Sequence, residues 1–348
     1  MTRLASSVSG TSSRNTVLAL CALLAVALVA GCGNKQSAST STGTGDKAKR
    51  TIVFVFKLVG IPYANTCERG AKEAAKELGI NVEFLGPAKG GDVAGQISII
   101  ESQISRGVDA IVISPNDPNS VKPVIAKAMA RGIKVFTWDS DAPETDRIFY
   151  VAAADDVGIG EDILKALAKD VGDKGKIGIM SGGQGALNLN QHVDGVLKEL
   201  KKHPNLELAK PIIYNNDQPQ QAQSGVAGLL QRYPDLAGIA CVNSPGPPGA
   251  ARAAIAAGKS GKVKIWGLSL PSENKQYIKD GVVNGLILWD PAKLTYVTAK
   301  LVNDYLDGKK PTDGMELKDV GKLKVGKTGV VIMPGVVITK DNVDTFDF

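Results

Sequence analysis

From Thr51 onward the chain alternates short apolar runs with helix-length amphipathic segments, and few folds accommodate that rhythm. The pattern predicts a strand over Thr51–Phe56, a helix over Tyr63–Leu78 stopped by Gly79, and a strand over Asn81–Leu85. It goes on with a helix over Val93–Ser105 stopped by Gly107, a strand over Asp109–Ile113, a helix over Ser120–Ala130 stopped by Gly132, and a strand over Lys134–Thr137. After a break near Asp155-Asp156 the rhythm restarts. Strands are then expected at Lys176–Met180, Leu208–Tyr214, Gly238–Val242, Val263–Trp266 and Val283–Leu288. Strands separated by helices imply parallel sheets covered on both faces. Runs that are apolar throughout, not at every second residue, agree with burial on both sides. The rhythm occurs twice, so the expected fold class is α/β with two doubly wound parallel-sheet lobes. From Pro291 one long helix and short strands remain, too little for a third lobe.

The residues before Thr51 follow a different logic. Val17–Ala30 is an unbroken apolar run of 14 residues preceded by Arg3 and Arg14 and no acid. A membrane-spanning helix needs about 20 apolar residues, so the run fits the core of an export signal. It ends in Val29-Ala30-Gly31-Cys32, which resembles a lipoprotein lipobox. That resemblance implies cleavage before Cys32 and lipidation of its sulfur. Residues 1–31 are then the signal, and residues 32–50, rich in Ser, Thr, Gly and Lys, a flexible tether. The expected location is extracytoplasmic, held to the cell envelope through Cys32.

Charge narrows the partners. The chain carries 41 Lys+Arg against 35 Asp+Glu, and removal of Arg3 and Arg14 with the signal leaves a net charge of +4. No dense basic cluster points to nucleic acid; Lys198, Lys201 and Lys202 read as a solvated helix face. Beyond Cys21 in the signal and Cys32, only Cys67 and Cys241 remain, far apart, and read as buried small hydrophobes.

In open parallel sheets, ligands bind beyond the carboxyl ends of the strands. The residues expected there include Lys57, Tyr63, Asn116, Trp138, Asp139, Asn188, Asn190, Asn243, Ser244, Ser269, Trp289 and Asp290. Aromatics are only 5% of the chain, yet two of its three tryptophans fall in this set. Amides and carboxylates form paired directional hydrogen bonds to adjacent hydroxyls, and aromatic faces pack on C–H groups. The set fits a neutral, hydroxyl-rich ligand. Each member also has a structural reading: Tyr63 and Trp138 as core, Asn116-Asp117 and Asn215-Asn216 as turns or caps.

No catalytic constellation accompanies the set. The only histidines are His192 and His203. No nucleophile-elbow, P-loop or zinc-protease motif is present. Ser181-Gly182-Gly183-Gln184-Gly185 departs from the dinucleotide pattern at Asn188 and reads as a strand-to-helix turn. Asp139-Ser140-Asp141 lacks further ligand spacing for a metal. Neither catalysis, cofactor nor metal is expected.

These features together resemble the type I periplasmic binding proteins of bacterial ABC importers, over Thr51–Phe348. Lys57-Leu58-Val59-Gly60, Gly107-Val108-Asp109-Ala110-Ile111, Thr137-Trp138-Asp139-Ser140-Asp141, Leu288-Trp289-Asp290 and Phe346-Asp347-Phe348 resemble the branch of rhamnose-binding and autoinducer-2-binding proteins. The resemblance implies three crossovers between lobes, closure of a cleft by hinge motion, and delivery to a permease and its ATPase. It implies lobe 1 over 51–154, lobe 2 over 155–288, a return to lobe 1 over 289–325, and a C-terminal segment, 326–348, on lobe 2 near the hinge. A monomer is expected. Lys57 and Asp139 match ligand-contacting positions of the autoinducer-2 group. Asn188, Leu189, Val242 and Ser244 depart from its Asp, Gln, Pro and Ala, which favours a deoxyhexose, pentose or related polyol. Asn243 matches a frequent ligand amide, and Ser269 replaces an Asp common in ribose-type relatives. The alternatives are an autoinducer-2-type ligand, presentation of ligand to a sensory receptor, and an exported α/β enzyme.

Overall fold

The computed structural model describes residues 49–317, 320–326, 329–331 and 335–348. The expected signal, Cys32 and residues 33–48 of the tether lie outside them. The first lobe begins with β1 (Thr51–Val55), α1 (Pro62–Leu78), β2 (Asn81–Leu85), α2 (Val93–Arg106), β3 (Ala110–Ile113), α3 (Lys122–Ala130), β4 (Lys134–Trp138) and β5 (Tyr150–Ala152). Val53, Phe54 and Val55 of β1 are wholly buried, as a strand with helices on both faces must be. Left-handed Gly79 and Gly107 end α1 and α2, a backbone region that costs glycine little.

The second lobe holds α4 (Asp156–Asp170), β6 (Gly175–Ser181), α5 (Leu187–Leu200), β7 (Leu206–Leu208), β8 (Ile213–Tyr214), α6 (Pro219–Arg232), β9 (Gly238–Cys241), α7 (Gly246–Ala256), β10 (Lys264–Gly267), α8 (Pro271–Lys279) and β11 (Gly285–Leu288). The single strand expected over Leu208–Tyr214 is two short ones. Pro211 stands between them, and proline has no N–H for a ladder. Both pieces pair with β6, β7 at Gly175–Ile177 and β8 at Met180–Ser181. Helices α4 and α5 cross closely through Gly160 and Gly195; a Cβ on Gly160 would stand 2.9 Å from the His192 carbonyl carbon. That crossing seats His192 against the sheet.

The chain ends with α9 (Pro291–Leu306), a β12–β13 hairpin (Glu316–Leu317, Gly321–Lys322), β14 (Lys324–Val325), β15 (Val330–Val331) and β16 (Val336–Ile338). One sheet runs β14-β15-β5-β4-β3-β1-β2, and the other β16-β11-β10-β9-β6-β7 with β8 also on β6. Strands β1–β5 are parallel, as are β6–β11, while β16 runs antiparallel to β11. Among the described residues the strands change sheet three times along the chain: after β5, after β11, and between β15 and β16. Helix α9 packs on α1 of the first lobe. The C-terminal segment departs from the expected division: Val330 and Val331 pair with β5 of the first sheet, so the last passage follows Val331.

Candidate functional site

The carboxyl ends of the two sheets face each other across a cavity. Its walls come from both lobes. Phe56, Lys57, Leu58, Ile61, Tyr63 and Asp139 belong to the first; Asn188, Leu189, His192, Asp217, Val242, Asn243, Ser244 and Leu268 to the second; Trp289 stands at the second passage between them. All but His192, in the second turn of α5, are strand-end or first-turn residues, because parallel strands deliver their carboxyl ends to one side.

Asp139 organises the first wall. It follows β4 in the left-handed region, φ 59°, a conformation a non-glycine residue holds at some cost. Its carboxylate pairs with Lys57 and accepts the Ser114 hydroxyl at 2.8 Å and the Tyr63 hydroxyl at 3.1 Å. Tyr63 Oη in turn accepts from Trp289 Nε1 at 3.1 Å, so the aromatic wall is braced to the ion pair. Burial and the neighbouring Asp139 charge raise the Tyr63 phenol well above its usual range and keep it a neutral donor. Lys57 reaches the other lobe, donating to Asn188 Oδ1 at 3.3 Å. A buried cation requires such partners.

The second wall is a network of amides. Asn243 Nδ2 donates to Asn215 Oδ1 and to Asp217 Oδ1, both at 2.7 Å, and Asn215 Nδ2 returns a bond to Asn243 Oδ1 at 3.2 Å. Burial raises the Asp217 carboxyl, and the Asn243 bond works against that rise. Ser244 Oγ donates to Glu273 at 3.5 Å. Burial pushes Glu273 up to about 7, partly offset by Ser244 and Arg252. His192 is fixed at both nitrogens: Nδ1 donates to the Val242 carbonyl at 3.1 Å, and Nε2 faces Asp156 Oδ1 at 3.1 Å. Neither nitrogen is left to act as a base on a ligand.

Seven of the expected residues meet at the cavity: Lys57, Tyr63, Asp139, Asn188, Asn243, Ser244 and Trp289. Five do not line it. Asn116 is a brace, donating to the Lys57 carbonyl at 2.9 Å. Trp138 is core, wholly buried between Phe54 and Phe56 at ring distances of 5.4 and 5.3 Å. Asn190 binds the Gln184 carbonyl. Ser269 donates to the Ser244 carbonyl at 2.6 Å and accepts from Asn274. Asp290 caps α9, accepting from Lys293 N–H at 3.0 Å. His192, Asp217 and the apolar walls stand outside the expected set, although Asp217 follows an expected strand and His192 falls near the cleft. Asp217 closes an Asn-Asn-Asp run after a strand, and His192 lies four residues from Asn188 on one helix face, so both had a readable signal. Cys67 and Cys241 are buried free thiols.

A family model described as a periplasmic binding protein domain matches residues 52–310. A xylitol-binding protein of Mycolicibacterium smegmatis is 28% identical over 329 residues, covering 92% of this chain and 86% of the relative. Among solved structures, LsrB from Clostridium saccharobutylicum in complex with AI-2 superposes with a TM-score of 0.79 at 25% identity, covering 86% of this chain and all of that one. An ABC transporter solute-binding protein from Clostridium phytofermentas with bound L-rhamnose gives 0.78 at 25% identity, covering 85% and 98%.

Proposed function

The chain belongs to the periplasmic binding protein domain family, and from that premise we propose that it captures a small neutral sugar and delivers it to an ABC permease and its ATPase. The ligand class is a rhamnose-like deoxyhexose, a pentose or a related polyol. The protein is carried outside the cytoplasm on a lipid at Cys32, which lies outside the described residues. It acts as a monomer and turns over nothing.

The observation that carries this reading is the charge balance of the cavity. Among the described residues Lys57 is the one lysine on its walls, and it is neutralised by Asp139, leaving no surplus positive charge there for a phosphate. The amides Asn188 and Asn243 and the carboxylate Asp217 offer directional partners to hydroxyls. Phe56, Leu58 and Trp289 offer apolar surface to the C–H groups between them. Sugar wedged between the lobes makes contacts with both that only the closed arrangement provides, so it shifts the hinge equilibrium toward closure.

Isothermal titration of the folded protein against L-rhamnose, D-ribose, D-arabinose, xylitol and autoinducer-2 tests the proposal. Saturable binding of a sugar or polyol supports it, and intact protein that binds none of them contradicts it. A second reading, an autoinducer-2-type ligand, draws on Lys57 and Asp139 at the cavity wall; selective binding of autoinducer-2 in the same panel favours it.

A further inference from the structure

Two backbone seams join the lobes outside the cavity, and each depends on a glycine. Gly90, in the loop after β2, lies on Asn216, in the loop after β8 of the other lobe. A Cβ on Gly90 would overlap the Asn216 carbonyl oxygen and stand 2.7 Å from its carbonyl carbon. Gly185, between β6 and α5, lies on Asn116 of the first lobe. A Cβ there would stand 2.6 Å from the Asn116 carbonyl oxygen and 3.4 Å from Asp117 Cβ. The obstructing oxygens are backbone atoms, which cannot swing aside as a long side chain does. Neither glycine has a positive φ, so alanine suits its local conformation and only the opposite lobe forbids it.

Both seams lead to the cavity. Asn216 is followed by Asp217, at φ 48° and 55°, so displacing one displaces the other. Asn116 holds the Lys57 carbonyl at 2.9 Å. We propose that Gly90 and Gly185 are positioning residues for cleft closure: their missing side chains set how closely the lobes meet and so hold Asp217 and Lys57 at ligand distance. A methyl group parts the lobes by more than about 1 Å at the Gly90 seam and by somewhat under about 1 Å at the Gly185 seam, and leaves each lobe intact. The proposal goes beyond the sugar reading and does not depend on which ligand is bound.

Spin labels on Ser102→Cys of α2 and Gln220→Cys of α6, both exposed, report the lobe separation as a pulsed electron-spin distance distribution. Cys67 and Cys241 are wholly buried and do not compete for label, and Cys21 and Cys32 are replaced by serine in the labelled protein. Distances are taken without ligand and with L-rhamnose, D-ribose or xylitol. The parent is expected to show a short-distance population that Gly90→Ala and Gly185→Ala lose. Gly183→Ala, in the same loop as Gly185 but with no heavy atom within 4 Å of its Cβ, is expected to keep it. For any sugar that binds the parent, the two seam variants lose at least about tenfold in affinity. Far-UV circular dichroism checks that each variant is folded. Retention of the short distance in both seam variants overturns the proposal, as does its loss in Gly183→Ala or its absence from the parent in every condition. A parent that shows the short distance but responds to no sugar leaves the proposal standing and counts against the sugar reading.

Discussion

Removing one member of the Lys57–Asp139 pair is the perturbation whose cost the structure best defines. Lys57 is 7% exposed and Asp139 6%, so each ion exchanges water for the other. Asp139→Asn preserves shape and leaves Lys57 buried without a counter-charge, with only neutral amide oxygens, Asn188 Oδ1 and the one introduced at 139, as side-chain acceptors. Breaking a buried pair from one side costs about 3–5 kcal/mol. Lys57→Met leaves Asp139 with the Tyr63 and Ser114 hydroxyls, which places its loss near the lower end, about 3 kcal/mol. The double variant strands no charge and costs less than the sum, with a coupling of about 2–3 kcal/mol. Urea unfolding followed by tryptophan fluorescence and circular dichroism measures the cycle. With m near 3 kcal/mol/M, each single variant lowers the midpoint by roughly 1 M at constant m. Losses below about 1 kcal/mol, or effects additive within about 0.5 kcal/mol, would mean that the two buried charges do not depend on each other.

Glu273 sets a pH dependence. Its carboxyl titrates near 7 folded and near its ordinary value unfolded, so the folded state binds the extra proton between those values. Its stability contribution is present below about pH 4.5 and lost as pH rises through 7, up to about 3 kcal/mol. Glu273→Gln is expected to flatten that fall in thermal melts at pH 5 to 8; an unchanged profile contradicts it. Trp289→Phe is expected to abolish the ligand-induced fluorescence change and weaken binding, while Trp138→Phe, in the core, leaves both in place. Cys32→Ser is expected to abolish labelling by radioactive palmitate in growing cells and to release the protein from the membrane fraction; persistent labelling contradicts lipidation.

The two sheets were legible because a buried parallel strand needs an apolar run and the crossover between parallel strands needs a helix, and both leave local marks. β5 escaped notice because three residues carry too little pattern, although Tyr150 and Val151 are good strand formers. At the site, strand-end position identified which residues could reach the cleft and said nothing of which way each side chain points. Trp138 shows the difference. It lies two residues from Phe136, and residues at that spacing share a sheet face, so both face the larger core. Asn116, Ser269 and Asp290 look like ligand contacts in the sequence because polar residues after strands serve both purposes. Each spends its hydrogen bonds on neighbouring backbone. Part of the apolar wall was hidden for the opposite reason, since Leu58 and Leu268 look like core in a linear reading.

The most direct test is a crystal structure of the protein with whichever panel sugar it binds. One sugar is expected between the lobes, bounded by Lys57, Asp139, Asn188, Asn243 and Trp289, with its hydroxyls on the polar groups and its C–H face toward the apolar wall. A ligand held elsewhere, or one in the cleft that touches a single lobe, would contradict this arrangement.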